Sequence, residues 1–258
     1  MNIVLIGAGN VGQQLGSALK RAGHRIIQVY GKGKTRAEQL AKRLGAAQLT
    51  DLRAVDPTAD LILLAVPDDR IPEVLRRLPS VSKPVVHTAG NVPLSVFGRK
   101  FPRAGVFYPL QTISGNRPVS LLRVPLLIEA TTPALRRKLG QLARSLSEEV
   151  HYISSDQRQW LHLAGVLTNN FTNHLFFLAA ELLHKHRLPF RLLHPLLLET
   201  VEKAIALSPA DAQTGPARRG DLRTMRKHLT LLEQRPDLQR LYRLFSKSIA
   251  ASSQKQKR

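Results

Sequence analysis

The chain opens on "NIVLIGAGNVG", an apolar β-prone run from Asn2 to Ile6 that meets Gly7, Gly9 and Gly12 and then continues as an amphipathic helical pattern. Strand, G-x-G-x-x-G and helix in immediate succession constrain the fold more than any other stretch. The spacing has a use only where a buried parallel strand turns tightly into a crossover helix. Gly7 permits the tight turn, Gly9 lets the backbone approach a pyrophosphate, and Gly12 lets helix pack on strand. The unpaired amides at the helix start, from Asn10, Val11 and Gly12, face the anion. An ordinary glycine-rich βα turn is the alternative.

A second strand, "RIIQVY" (25–30), ends where a site selective for NAD carries an Asp or Glu to bond both ribose hydroxyls. Tyr30 and Gly31 stand there instead, followed by Lys32, Lys34, Thr35 and Arg36. Cations and a hydroxyl suit a 2′-phosphate, which a carboxylate would repel, so NADP is the expected cofactor. A solvated basic loop is the alternative. Thr35 with Glu38 is expected to form a capping box opening a helix that stops at Gly45. Val66 and Pro67, in "AVPDDRI", are expected at the carboxyl edge of the fourth strand, in contact with the cofactor. Asp68 is expected as the cap of the helix that follows.

Further strands are expected near 46–49 and at 59–67, 84–90 and 103–109. A βαβ-like unit from 124 to about 154 then ends the sheet. After Ser155 the pattern is helical to the end. The expected fold is α/β: an N-terminal Rossmann-type doubly wound parallel sheet over 1–153, followed by an all-α domain over 154–258 for substrate binding and dimerisation. Its first helix is expected to run from 155 to about 187. A disordered basic tail is expected near 252–258. Dense apolar segments such as "LFFLAAELL" and "LHPLLLETV" predict a homodimer, because a helix apolar on too many sides needs a partner beyond its own domain.

Thirty-nine Lys and Arg against 18 Asp and Glu give a formal charge of +21. Such a charge attracts polyanions, but the basic residues are spread along the chain, and no basic-plus-aromatic run of the single-strand-binding kind occurs. A dedicated nucleic-acid role is not expected. There is no cysteine, hence no disulfide and no thiolate metal site, and no metal is expected. The chain shows no leader pattern, and "LFFLAAELL" is short and interrupted by Glu181, so a cytoplasmic protein without membrane spans is expected.

Within the first helix of the second half, His162, Val166, Asn169 and Asn173 share one face, and Asn170 and His174 an adjacent one. The strip suits a cleft: His162 and Asn170 are candidates for protonating or orienting a substrate, and Asn169 and Asn173 for contacting it. Polar groups that satisfy one another between helices or subunits are the alternative. "TGPARRGD" (214–221) is expected to be a turn with Asp221 capping the next helix. Arg218 and Arg219 stand where they would hold a carboxylate or phosphate. A structural turn with its arginines paired to neighbouring acids is the alternative.

The motifs "AVPDD", "HTAG" (87–90), "FYPLQT" (107–112), "LHLAGVLTNNFTNHL" (161–175) and "TGPARRGD" together resemble the Rossmann-like proteins that carry a C-terminal domain of unknown function 2520. The resemblance covers nearly the whole chain. That family is similar to pyrroline-5-carboxylate reductases, ketopantoate reductases and β-hydroxyacid dehydrogenases. The resemblance implies a helical second domain that closes the cleft and often dimerises. It also implies a loop around Thr214 to Asp221 that holds the substrate's anionic group. Two departures stand out. Relatives that reduce keto or hydroxy acids carry a catalytic lysine early in the second domain, and none occurs here between Ser155 and Glu181. Tyr108 stands where the family often has His before "PLQ", and it remains able to donate a proton. The expected activity is NADP(H)-dependent hydride transfer to or from a small carbonyl or imine compound bearing an anionic group. The alternative is a non-catalytic dinucleotide-binding protein.

Overall fold

The computed structural model describes residues 1–114 and 119–255, with Lys34 and Lys255 described by backbone alone. Eight strands form one sheet: β1 (Asn2–Ile6), β2 (Arg25–Tyr30), β3 (Ala47–Leu49), β4 (Leu61–Leu64), β5 (Val85–His87), β6 (Ala104–Pro109), β7 (Leu126–Ala130) and β8 (Val150–Tyr152). Their order is β3-β2-β1-β4-β5-β6-β7-β8. The chain steps outward from β1 to β3, then returns to lay β4 on the other side of β1. This reversal opens a crevice at the carboxyl ends of β1 and β4.

Continuous apolar runs form these strands because both faces of the sheet are covered. Ile3 and Leu5 point into a core with α1 (Asn10–Arg21), α2 (Lys34–Leu44) and α4 (Pro133–Arg144). Val4 and Ile6 point into the opposite core with α3 (Ile71–Arg77), Phe97 and Phe101.

The expected α/β fold, a Rossmann-type sheet followed by helices, is borne out with one antiparallel step, and two expected helix caps are corrected. The strands from β1 to β6 are parallel, but β7 runs antiparallel to β6 and β8 parallel to β7. The sheet is therefore parallel in its main part only. Helix α2 starts at Lys34 with Gly33 in the cap position and no side-chain cap; Thr35 already lies inside the first turn, so the Thr35–Glu38 box does not form. Asp68 does not cap either, because the chain enters a 3₁₀ turn, Asp68–Arg70, with Pro67 in the cap position.

Beyond the sheet run α5 (Ser155–Gly165), a π-helical segment (Val166–Phe171) and α6 (Thr172–Lys185). The single helix expected to about 187 is thus one helical path with a π turn inside it. Helices α7 (His194–Leu207), α8 (Pro209–Ala212), α9 (Pro216–Arg219), α10 (Leu222–Leu231) and α11 (Pro236–Lys255) follow. The chain divides into two compact units, Met1–His174 and Leu175–Arg258, and the last strand of the sheet ends at Tyr152. Residues 252–255 of the expected tail continue α11, and 256–258 lie outside the described residues. Among the described residues no helix is long and apolar enough to cross a membrane.

Candidate functional site

A cavity of about 610 Å³ occupies the crevice of the first unit, bordered by Gly7 to Gly9, by Ala65 to Pro67, and by the connection from Tyr30 to Arg36. Its floor is shaped by glycines. Gly7 has φ +126°, and a Cβ there would lie 2.1 Å from the carbonyl oxygen of Ala65, so no other residue fits. A Cβ on Gly12 would lie 2.0 Å from the carbonyl oxygen of Gly7. Gly9 differs, since a Cβ there would meet no atom within 4 Å. It is the cap residue of α1, whose first turn contains no acidic side chain. The first amides of α1 thus adjoin open space, an arrangement that fits a phosphate group.

Of the expected cofactor contacts, Gly7, Gly9, Lys32, Thr35, Arg36, Val66 and Pro67 border this cavity. Asn10, Val11 and Gly12 follow Gly9 into α1, and the side chain of Lys34 lies outside what is described. Arg70, Glu73, Val74 and Arg77 border the same cavity and are absent from the expected contacts. Arg70 closes the 3₁₀ turn after "AVP", and Glu73, Val74 and Arg77 share one face of the helix α3 that follows, at spacings visible in the sequence.

Tyr108 at the end of β6 and Gly90 just beyond β5 belong to the same carboxyl edge of the parallel strands. The Tyr108 hydroxyl and His162 Nδ1 share a hydrogen bond of 3.1 Å. Gly90 makes room for that pair: a Cβ there would stand 2.5 Å from His162 Nδ1 and 2.9 Å from Tyr108 Oη. Burial, and secondly the carboxylate of Asp68, raise the Tyr108 pKa above the usual phenol value. The hydroxyl therefore keeps its proton through neutral pH.

One turn before His162, Arg158 is fully buried. Its guanidinium donates to the carbonyls of Gly90 (3.2 Å) and Val92 (2.6 Å), to Ser155 Oγ (3.2 Å) and to Glu129 Oε2 (2.5 Å). The Ser155 amide and hydroxyl also donate to Glu129, at 2.9 and 2.7 Å. Helix α5, the loop after β5 and strand β7 are thereby joined beside the Tyr108–His162 pair. His87, buried at the end of β5, accepts from the Ala89 amide (3.2 Å) and stacks on Phe97. Burial, with the Arg158 charge, lowers its pKa to about 3, so it stays neutral and is a packing group.

The expected polar strip is only partly assembled. Asn169 donates to Thr112 Oγ1 at 2.6 Å, while Asn170 and Asn173 are exposed. The π segment changes the phase of the helix between Val166 and Phe171, so the expected spacing from His162 to Asn173 does not define one face. In the second unit, Arg218 donates to the carbonyls of Ala210 (3.3 Å), Asp211 (3.2 Å) and Gln213. Asp221 caps α10, accepting from the Thr224 amide (3.0 Å) and hydroxyl (2.7 Å). Arg218 thus pairs with carbonyls rather than with neighbouring acids, and Thr214 and Arg219 remain exposed.

A Rossmann-like domain model matches residues 1–104, and a model of a domain of unknown function, DUF2520, matches residues 124–249. Among solved structures the chain is similar to a "putative NADP oxidoreductase" of Bacteroides fragilis, with 44% identity over 97% of this chain and 98% of that one, at a TM-score of 0.89. It is also similar to a protein of Thermotoga maritima, with 20% identity, 99% and 100% coverage and a TM-score of 0.75. A reductive aminase of Aspergillus terreus in complex with NADPH and ethyl levulinate shares the fold, with 16% identity, 96% and 93% coverage and a TM-score of 0.75. None of the curated proteins matches the sequence.

Proposed function

We propose that this chain, which belongs to the family of Rossmann-like proteins carrying the domain of unknown function 2520, is an NADP(H)-dependent oxidoreductase. It transfers hydride to or from a small carbonyl or imine compound bearing an anionic group. One observation carries this reading: the sheet edge that holds a glycine-floored, cation-rimmed cavity also presents a protonated tyrosine hydrogen-bonded to a histidine. The identity to the Bacteroides fragilis protein supports it.

A bound nicotinamide cofactor supplies the hydride. The amides of Asn10, Val11 and Gly12 bind its pyrophosphate, and Lys32, Thr35 and Arg36 bind its 2′-phosphate. In the reducing direction Tyr108 gives its proton to the carbonyl oxygen or imine nitrogen as that atom gains charge. His162, bonded to the same hydroxyl, relays a proton taken from solvent to the tyrosinate and so restores the phenol. Asn170, with Asn169 and Asn173, orients the substrate. A non-catalytic, redox-sensing role is the second reading, favoured by the absence of lysine between Ser155 and Glu181.

Calorimetric titration is expected to show NADPH binding several-fold tighter than NADH, a difference of about 1–3 kcal/mol. Lys32→Ala and Arg36→Ala should narrow it, and equal affinities or a preference for NADH would overturn the cofactor assignment. A panel of keto acids and cyclic imines should then contain a compound that accelerates NADPH oxidation. His162→Ala should slow that turnover with NADPH affinity unchanged. Binding without acceleration by any compound would favour the sensor.

The same reading includes a cytoplasmic homodimer. No residue of α7 is buried, and Leu198 and Ile205 are 64% and 81% exposed on it. A second copy of the chain covers these side chains. Sedimentation at micromolar concentration should give a dimer that Ile205→Glu converts to monomer. A strictly monomeric wild type would exclude it.

A further inference from the structure

We propose that α3 supplies a second wall of the 2′-phosphate subsite, with Arg77 as a phosphate ligand and Glu73 as the counter-ion that Arg77 exchanges for the phosphate. The proposal rests on the NADP reading above and adds to it the residues that set cofactor preference. The cavity is bordered by four cations whose side chains are described, Lys32, Arg36, Arg70 and Arg77, and by one carboxylate, Glu73. They come from two walls, the connection after β2 and the exposed face of α3.

Glu73 sits at the centre of the α3 group. Its Oε2 lies 2.9 Å from Arg70 Nη1, and its Oε1 lies 3.9 Å from Arg77 Nη1. Arg70 is shared further with Asp69 at 3.7 Å. Arg70 is thus engaged from two sides, whereas Arg77 is only loosely paired. The hydrogen bond from Arg70, and then the charges of Arg70, Arg77 and Lys32, lower the Glu73 pKa, so the carboxylate stays ionised near neutral pH. Lys32 acts on it from the opposite wall, which places both walls in one electrostatic neighbourhood.

Exposed ion pairs of this kind contribute little and exchange readily. A 2′-phosphate carries nearly two charges and accepts the forked geometry of a guanidinium, so it displaces a loosely held carboxylate from Arg77. The ribose of NADH, which has hydroxyls only, gains nothing from that exchange. Glu73 therefore moderates NADPH affinity and Arg77 confers preference, with opposite signs on substitution.

The test is fluorescence titration of the full-length protein with NADPH and with NADH, at low and at moderate salt. Arg77→Ala should weaken NADPH about five- to tenfold with NADH unchanged, and Arg77→Lys should weaken it less. Glu73→Gln should tighten NADPH several-fold at low salt, the gain shrinking as salt rises. Both side chains are about half exposed, and thermal melts of the variants establish that α3 is retained. An Arg77→Ala effect that is absent, or equal on both cofactors, overturns the proposal, as does weaker NADPH binding in Glu73→Gln. A wild type without preference for NADPH would instead defeat the cofactor reading beneath it.

Discussion

Replacing Arg158 by methionine is expected to lower the unfolding free energy by about 3–5 kcal/mol, the cost of leaving one half of a buried ion pair without its partner. Arg158 is 1% exposed and Glu129 17% at the side chain, so water replaces little of what is lost. Glu129 keeps its two bonds from Ser155, but the carbonyls of Gly90 and Val92 lose their donor. Urea unfolding followed by circular dichroism, with the slope unchanged, measures the loss. Adding Glu129→Leu should recover much of it, because an apolar pair of similar volume is often as stable as the ion pair it replaces. A loss below about 1 kcal/mol would mean that the network does not anchor α5.

Gly9→Val is expected to leave folding intact and to weaken NADPH by at least about 100-fold, equivalent to about 2.7 kcal/mol. Gly9 has φ −76°, which valine tolerates, and its Cβ would meet no protein atom within 4 Å. The added methyl groups enter space that only a ligand uses, and they block close approach to the first amides of α1. NADH should lose affinity equally, since the pyrophosphate is common to both. Gly7→Ala should behave differently and unfold the domain, because its Cβ would lie 2.1 Å from the Ala65 carbonyl oxygen. Calorimetry and a urea midpoint on each variant separate the two effects. Undiminished cofactor binding by a folded Gly9→Val protein would remove the pyrophosphate from this turn.

Much of the sheet was legible because strands buried on both faces are written as unbroken apolar runs, and because the glycine turn obeys hard steric limits. Strand direction is another matter. "LLIEA" pairs antiparallel with β6, and apolar patterning is the same for either direction. The cofactor cavity was legible along the connection after β2, where the charges are contiguous, whereas the spacing of Arg70, Glu73 and Arg77, on the 3₁₀ turn and α3, is visible but looks like an ordinary solvated helix face. Arg158 gave no local signal at all. In "SDQRQWLH" it resembles any surface arginine, and its burial depends on carbonyls 66 and 68 residues away. His162 stood out on its helix, and Tyr108 through a family resemblance, but their hydrogen bond spans 54 residues of sequence. Arg218 and Asp221 were visible as a cluster, yet composition does not distinguish a ligand-holding turn from one that satisfies its own backbone.

The two anchors of α5 turn out to be a matter of measure. Glu129, which holds Arg158, lies opposite Val106 in the β6–β7 ladder, while His162 meets Tyr108 two residues further along β6. Two strand residues advance about 6.6 Å and four helical residues about 6.0 Å, so helix and strand keep step like two rulers graduated in different units. The agreement holds only for the spacings 158 to 162 and 106 to 108. One residue more or fewer in the helical interval would swing His162 by about 100° with Arg158 still in place. Arg-x-x-x-His on α5 and Val-x-Tyr on β6 are therefore one shared gauge, through which the buried ion pair sets the spacing of the Tyr108–His162 hydrogen bond.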